Sequence, residues 1–210
     1  MALEPEVDLS TDEQKVSYGF GLQFAEQLRR NHFEGMDLEA VLAGVQHQYN
    51  NQQAVLTSEQ MNPAYETIQK RQKGKSAETD SKREDLAKQF LEANAAREGV
   101  TTTDSGLQYE VLEAGSGAKP TAQSTVLTHY HGTLIDGTVF DSSVERGEPA
   151  EFGVTQVIPA WTEALLMMSV GDKWRIACPP VLAYGAQGAG DSIPPNTALV
   201  FEIHLIEIKD

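Results

Sequence analysis

The run Thr128-His-Tyr-His-Gly-Thr-Leu-Ile-Asp-Gly-Thr-Val-Phe-Asp-Ser-Ser143 decides how this chain is read. Asp136-Gly137 is a turn signal, and the flanking residues are rich in β-branched and aromatic side chains, so two strands joined by a turn are expected. Thr125–His131, Leu107–Leu112, Lys173–Cys178 and Leu199–Ile208 have the same character. Between Ile158 and Val170, Trp161, Leu165 and Met168 recur at helical spacing, and Gly171 supplies a stop. Strands packed on one helix make an α+β domain, which begins after Gly99.

Upstream the period is helical. Ser10 followed by Glu13 reads as a capping box, and Val16, Phe20, Phe24 and Leu28 then predict a first helix of about five turns. Gly19 and Gly21 lie inside it, where each costs about 1 kcal/mol relative to alanine, so a second helix packed closely against them is expected. Tyr18-Gly-Phe-Gly21 does not read as a phosphate loop, because no strand precedes it and the third glycine is missing. Leu38, Val41, Leu42, Val45 and Tyr49 form a second stripe after an Asp37 cap, ended by Asn50-Asn-Gln-Gln53.

Thr57 and Gln60 open a third helix that is expected to reach about Gly99. From Gln69 to Asp85 it has no large apolar residue, and a helix polar on every side must bridge solvent. Leu86, Phe90 and Leu91 resume the stripe, which favours a long exposed helix over a disordered linker. The chain thus divides into a helical region 1–56, a connecting helix 57–99 and an α+β domain 100–210. Two short helices with wide apolar faces make a poor core by themselves, so a homodimer formed through residues 1–56 is expected. The alternative is that these helices fold back on the C-terminal domain.

Composition excludes several classes. The 210 residues carry a formal charge of −15, which argues against nucleic acid as the main partner. No stretch approaches the roughly 20 apolar residues of a membrane span. Met1–Asp8 is acidic and lacks the basic and apolar segments of a secretory signal, so a cytoplasmic location is expected. Cys178 is the single cysteine, which suits a reducing compartment. His129 and His131 point to one face of a strand with Tyr130 on the other, and solvated or packed histidines are expected rather than a metal site. Neither a metal nor another cofactor is expected, and no Gly-x-Ser-x-Gly elbow suggests hydrolysis.

What remains is a set of rings and aliphatic groups with one carboxylate and no obvious nucleophile. That suits a dry pocket for a neutral group, best a proline ring with its amide bond. Six motifs carry the reading further: His-Tyr-x-Gly at 129–132, Gly-Thr-x-Phe-Asp-Ser-Ser at 137–143, Val-Ile-x-x-Trp at 157–161, Met-x-Val-Gly at 168–171, Ala-Tyr-Gly at 183–185, and Ile-Pro-Pro with Thr-x-Leu-Val-Phe at 193–201. In this order, from about residue 103 onward, the chain resembles the FKBP family of peptidyl-prolyl cis-trans isomerases. The helical half is similar to the dimerisation arm and connecting helix of two-domain bacterial members, the group of the macrophage infectivity potentiator proteins.

The resemblance implies an antiparallel sheet wrapped on one short helix, preceded by an all-α dimerisation region. It implies catalytic positions at Tyr130, Phe140, Asp141, Tyr184 and Phe201, and substrate contacts at Arg146, Val157, Ile158, Trp161 and Ile193. Trp161 matches the floor under the prolyl ring, while the Ile158 N–H and the Tyr184 hydroxyl match the donors that hold the peptide. Arg146 matches the basic partner of Asp141. The implied partners are unfolded or partly folded proline-containing chains and macrolide inhibitors. Ala150, Leu182 and Ser192 depart from the aromatic, tyrosine and aliphatic residues usual in single-domain members, and His131 stands where threonine is usual. A peptide-binding chaperone clamp with little turnover is the competing expectation.

Overall fold

The computed structural model describes residues 7–209. Met1–Glu6, most of the segment read for a secretory signal, and Asp210 lie outside the described residues. The chain forms two compact units, divided between Lys75 and Ser76.

The first unit contains α1 (Asp12–Arg30), α2 (Leu38–Tyr49) and the start of α3 (Ser58–Ala95). The box that opens α1 is Thr11 with Gln14, one residue later than the Ser10 and Glu13 pair. Both overlapping frames satisfy the motif, and the Ser10 hydroxyl also turns to Gln14. Asp37 caps α2 by accepting from the N–H groups of Glu39 and Ala40, and Thr57 and Gln60 bond reciprocally at the start of α3. Helix α3 continues through Pro63 and Gly74.

No residue of α1 or α2 is buried, and Val16 and Phe20 are 59% and 67% exposed. A methyl group added at Gly19 or Gly21 would meet nothing within 4 Å. The close neighbour expected at these glycines is therefore not supplied by the described residues of the chain.

In the second unit the last turns of α3 are tied down. Asn94 is buried and donates to Gln108 Oε1 at 2.8 Å, while Gln108 donates to the Leu91 carbonyl at 2.9 Å. Arg97 donates to Asn94 at 3.0 Å and to Glu110 at 2.9 Å. The helix stops at Ala95, short of Gly99, because the Arg97 N–H turns to the carbonyl of Asn94 and closes the ladder early. Gly99, with φ of +84°, belongs to the turn that follows.

Seven strands form one antiparallel sheet: β1 (Val100–Thr102), β2 (Gln108–Glu113), β3 (Thr125–Leu134), β4 (Val139–Ser142), β5 (Ala150–Gly153), β6 (Lys173–Cys178) and β7 (Leu199–Lys209), in the order β1-β2-β6-β7-β3-β4. β3 pairs with β7 along its length on one side. On the other side it pairs with β5 over Thr125–Thr128 and with β4 over His131–Thr133. The chain leaves the sheet between those partners as the single-turn helix α4 (Ser143–Arg146). Gly137, at φ +89°, makes the turn from β3 to β4 with Asp136 accepting from the Thr138 N–H.

Helix α5 (Pro159–Met167) buries Ala160, Trp161, Ala164 and Leu165. It ends before Gly171, whose φ of +95° belongs to the next turn. There the Asp172 carboxylate accepts from the N–H groups of Gly115 and Ser169, both at 2.6 Å. Leu107, Val126, Leu165, Met168, Ile176, Leu199, Ile203 and Leu205 are fully buried in the core. Cys178 is buried with them, and desolvation pushes its thiol well above the ordinary range.

Candidate active site

A cleft of about 400 Å³ is lined by Tyr130, Phe140, Asp141, Phe152, Gln156, Val157, Ile158, Trp161, Tyr184 and Phe201. Alternation along β3 and β7 turns Tyr130 and Phe201 inward, the start of α5 presents Trp161, and β4 supplies Phe140 and Asp141. Trp161 meets Tyr130, Phe152 and Phe201 edge to face, with ring centroids at 5.3, 5.4 and 5.4 Å. Phe140 meets Phe201 in the same way at 5.4 Å. Gly132 makes room for that pair, since a Cβ there would stand 2.7 Å from Phe140 Cζ and 3.0 Å from Phe201 Cε1.

One polar cluster stands among these rings. The Tyr130 hydroxyl donates to Asp141 Oδ2 at 2.5 Å, Arg146 donates to the Tyr130 hydroxyl at 2.9 Å, and Arg146 also pairs with Asp141. The guanidinium lies over the Tyr130 ring, 5.6 Å from its centroid. Burial pushes the Asp141 carboxyl up, but the bonds from Tyr130 and Arg146 outweigh it and hold the group below the ordinary carboxylate value. Burial and the neighbouring carboxylate raise the Tyr130 phenol, which therefore stays protonated as a donor.

Two further donors remain unspent. Ile158 accepts from Trp161 and Thr162 through its carbonyl as α5 begins, while its own N–H has no acceptor among the described residues. Tyr184, 38% exposed, lines the cleft from the segment between two 3₁₀ turns, Pro180–Leu182 and Gly185–Gln187, and its hydroxyl has no hydrogen-bond partner among the described residues. The arrangement is an apolar slot with a fixed carboxylate at one edge and hydrogen-bond donors at others. It holds no side chain placed as a nucleophile with a base beside it.

The structure brings Tyr130, Phe140, Asp141, Val157, Ile158, Trp161, Tyr184 and Phe201 together on the cleft. Arg146 does not line it, and reaches it only through Asp141 and Tyr130. Ile193 is not among the lining residues either; it is buried in the core, its main chain bonded both ways to Ala189. Phe152 and Gln156 line the cleft without having been singled out. The alternation in Ala150-Glu-Phe-Gly153 could have marked Phe152 as inward-facing, but a strand of four residues gives too short a pattern. His129 and His131 bond Ser143 and Ser142 on the face away from the cleft.

Sequence comparison agrees with this geometry. Residues 116–206 match the family described as FKBP-type peptidyl-prolyl cis-trans isomerase, and residues 13–111 match the domain amino terminal to it. The chain belongs to the FKBP-type peptidyl-prolyl cis-trans isomerase family and is an isomerase of X-Pro peptide bonds. The FKBP-type 22 kDa peptidyl-prolyl cis-trans isomerase of Escherichia coli K12 is 46% identical over 94% of this chain and 96% of that protein. The outer membrane protein MIP of Legionella longbeachae is 42% identical over 100% of this chain and 91% of its own length. The crystal structure of FkpA from Escherichia coli matches with a TM-score of 0.69 at 34% identity, covering 96% of this chain and 99% of the other.

Proposed function

We propose that this isomerase works by desolvating the X-Pro amide and holding it twisted, with the aromatic cleft as the site of catalysis. Rotation about a peptide bond faces a barrier of about 18 to 20 kcal/mol, because the planar amide has partial double-bond character. Uncatalysed X-Pro bonds consequently take tens of seconds or longer to isomerise. The twisted amide has lost resonance and is less polar, so an apolar slot disfavours the planar ground state more than the transition state. An acceleration of about a hundred thousandfold requires about 7 kcal/mol in all.

Trp161 forms the floor for the pyrrolidine ring, and Phe140, Tyr130 and Phe201 form walls near the carbonyl. The Ile158 N–H and Tyr184 hydroxyl hold the peptide, and donors fixed for the twisted geometry add to catalysis. Asp141, kept ionised by Arg146 and Tyr130, supplies a local field beside the amide. The observation that carries this reading is the hydrogen-bonded carboxylate set among rings that converge on Trp161. Isomerisation of short X-Pro peptides tests it: Asp141→Ala and Tyr184→Phe should each lower turnover, and wild-type rates in both would remove the assigned roles.

The proposed substrates are unfolded or partly folded chains, with residues 1–56 joining two copies, 57–99 as connector and 100–210 as the catalytic domain. Support for the pairing comes from the unburied apolar faces of α1 and α2 and the open space at Gly19 and Gly21. A cytoplasmic location belongs to the same proposal and suits a single buried thiol. One relative is named an outer membrane protein, so cell fractionation with detection in each compartment is the test.

A further inference from the structure

One rung of the ladder beside β3 is missing. Pairing on that side covers Thr125–Thr128 and His131–Thr133, and the main chain of Tyr130 between them faces no strand. Ser143, fully buried at the start of α4, fills the place. Its Oγ accepts from the Tyr130 N–H at 2.7 Å and lies 3.2 Å from the Tyr130 carbonyl oxygen, to which it can donate. One hydroxyl thus does for Tyr130 what a paired strand would do. The same turn carries Asp141 and Arg146, the two polar partners of the Tyr130 side chain.

The hydroxyl proton has two possible takers. His129 Nδ1 lies 3.1 Å from Ser143 Oγ, and a serine donates only once. If Nδ1 is bare, it competes with the Tyr130 carbonyl for that proton. If Nδ1 carries hydrogen, it donates to Ser143, Ser143 donates to Tyr130, and every group is satisfied. Ser142 repeats the pattern: its Oγ accepts from the Glu145 N–H at 3.2 Å, with His131 Nδ1 at 3.0 Å and the Tyr130 carbonyl at 3.5 Å.

We propose that Ser143 and His129 are positioning residues for the isomerase: the Nδ1-protonated form of His129 directs the Ser143 hydroxyl onto the Tyr130 carbonyl and fixes Tyr130 against Asp141 and Arg146. This rests on the roles given above to Tyr130 and Asp141. The outer side of His129 borders a groove shared with Glu113, Lys173, Glu202 and His204, so its surroundings there are mixed in charge.

Long-range proton–nitrogen NMR on the intact, histidine-labelled protein reads the tautomer directly. A proton on Nδ1 of His129, in the neutral or the charged ring, is the expected result, and a ring protonated on Nε2 alone overturns the proposal. In peptide assays Ser143→Ala should lower kcat about tenfold with KM within about twofold. His129→Asn, whose amide can donate from near the position of Nδ1, should lose less than His129→Ala. Wild-type rates in S143A and H129A beside an impaired D141A would sink this inference alone. Unimpaired D141A and Y130F would instead remove the roles on which it depends. Should S143A fail to fold, the tautomer in the wild type still decides.

Discussion

At the scale of single residues the Asp141 carboxylate is the most informative group. Its folded value lies below the ordinary 3.8 because it accepts from Tyr130 and Arg146 despite burial. A depressed carboxylate contributes stability that is fully present above its unfolded value and lost as pH falls through the lower folded one. Denaturation followed by tryptophan fluorescence should therefore find wild type more stable than Asp141→Asn above pH 3.8, with the two converging in stronger acid. Gly132 gives a second prediction. Alanine there would press on Phe140 and Phe201, and overpacking of this kind costs about 1 to 3 kcal/mol, so both the urea midpoint and peptide turnover should fall. The lining of the cleft was largely legible because its residues sit in motifs whose order survives along the chain. Phe152 was not, since its place depends on the register of β5 against β3, and the burial of Ile193 in the same cluster as Tyr130, Trp161 and Phe201 is compatible with a place in the core or beside the pocket.

Strands and helices show the same division. β6 begins and ends where its β-rich run predicts, and α2 begins at its Asp37 cap. The ends of α3 and α5 differ from the glycine signals because local bonds close the helices early and partners far along the chain then hold the turns that follow. Gln108 and Arg97 gather the last turns of α3, and Asp172 gathers the turn after α5. No local pattern announces such partners. Asn94→Ala should cost about 1 to 3 kcal/mol by leaving the buried Gln108 amide short of a partner, read as a shift in urea denaturation. A fragment beginning at Ser76 should resist urea better than one beginning at Val100, which lacks the whole clasp. Equal stability of the two would mean that the clasp contributes nothing.

For the whole molecule, the proposed pairing of two copies rests on a deficit. A single sequence shows that α1 and α2 have apolar faces, but what covers those faces is not written in it, and the described residues leave Phe20 67% exposed. Sedimentation should give about twice the chain mass, and Phe20→Glu should lower it by placing a charge where an apolar contact is needed. Turnover of short peptides should persist in that variant while assisted refolding of a protein substrate weakens; equal action on both substrates would deny the pairing any part in client handling. The buried sulfur of Cys178 offers an independent view of the same molecule. It is the last residue of β6, fully buried and paired with Leu199 of β7, so a thiol-specific dye can reach it only when that part of the core opens. The chain thereby carries its own reporter of unfolding, and a cysteine introduced on the surface would take up label while the native one stays silent.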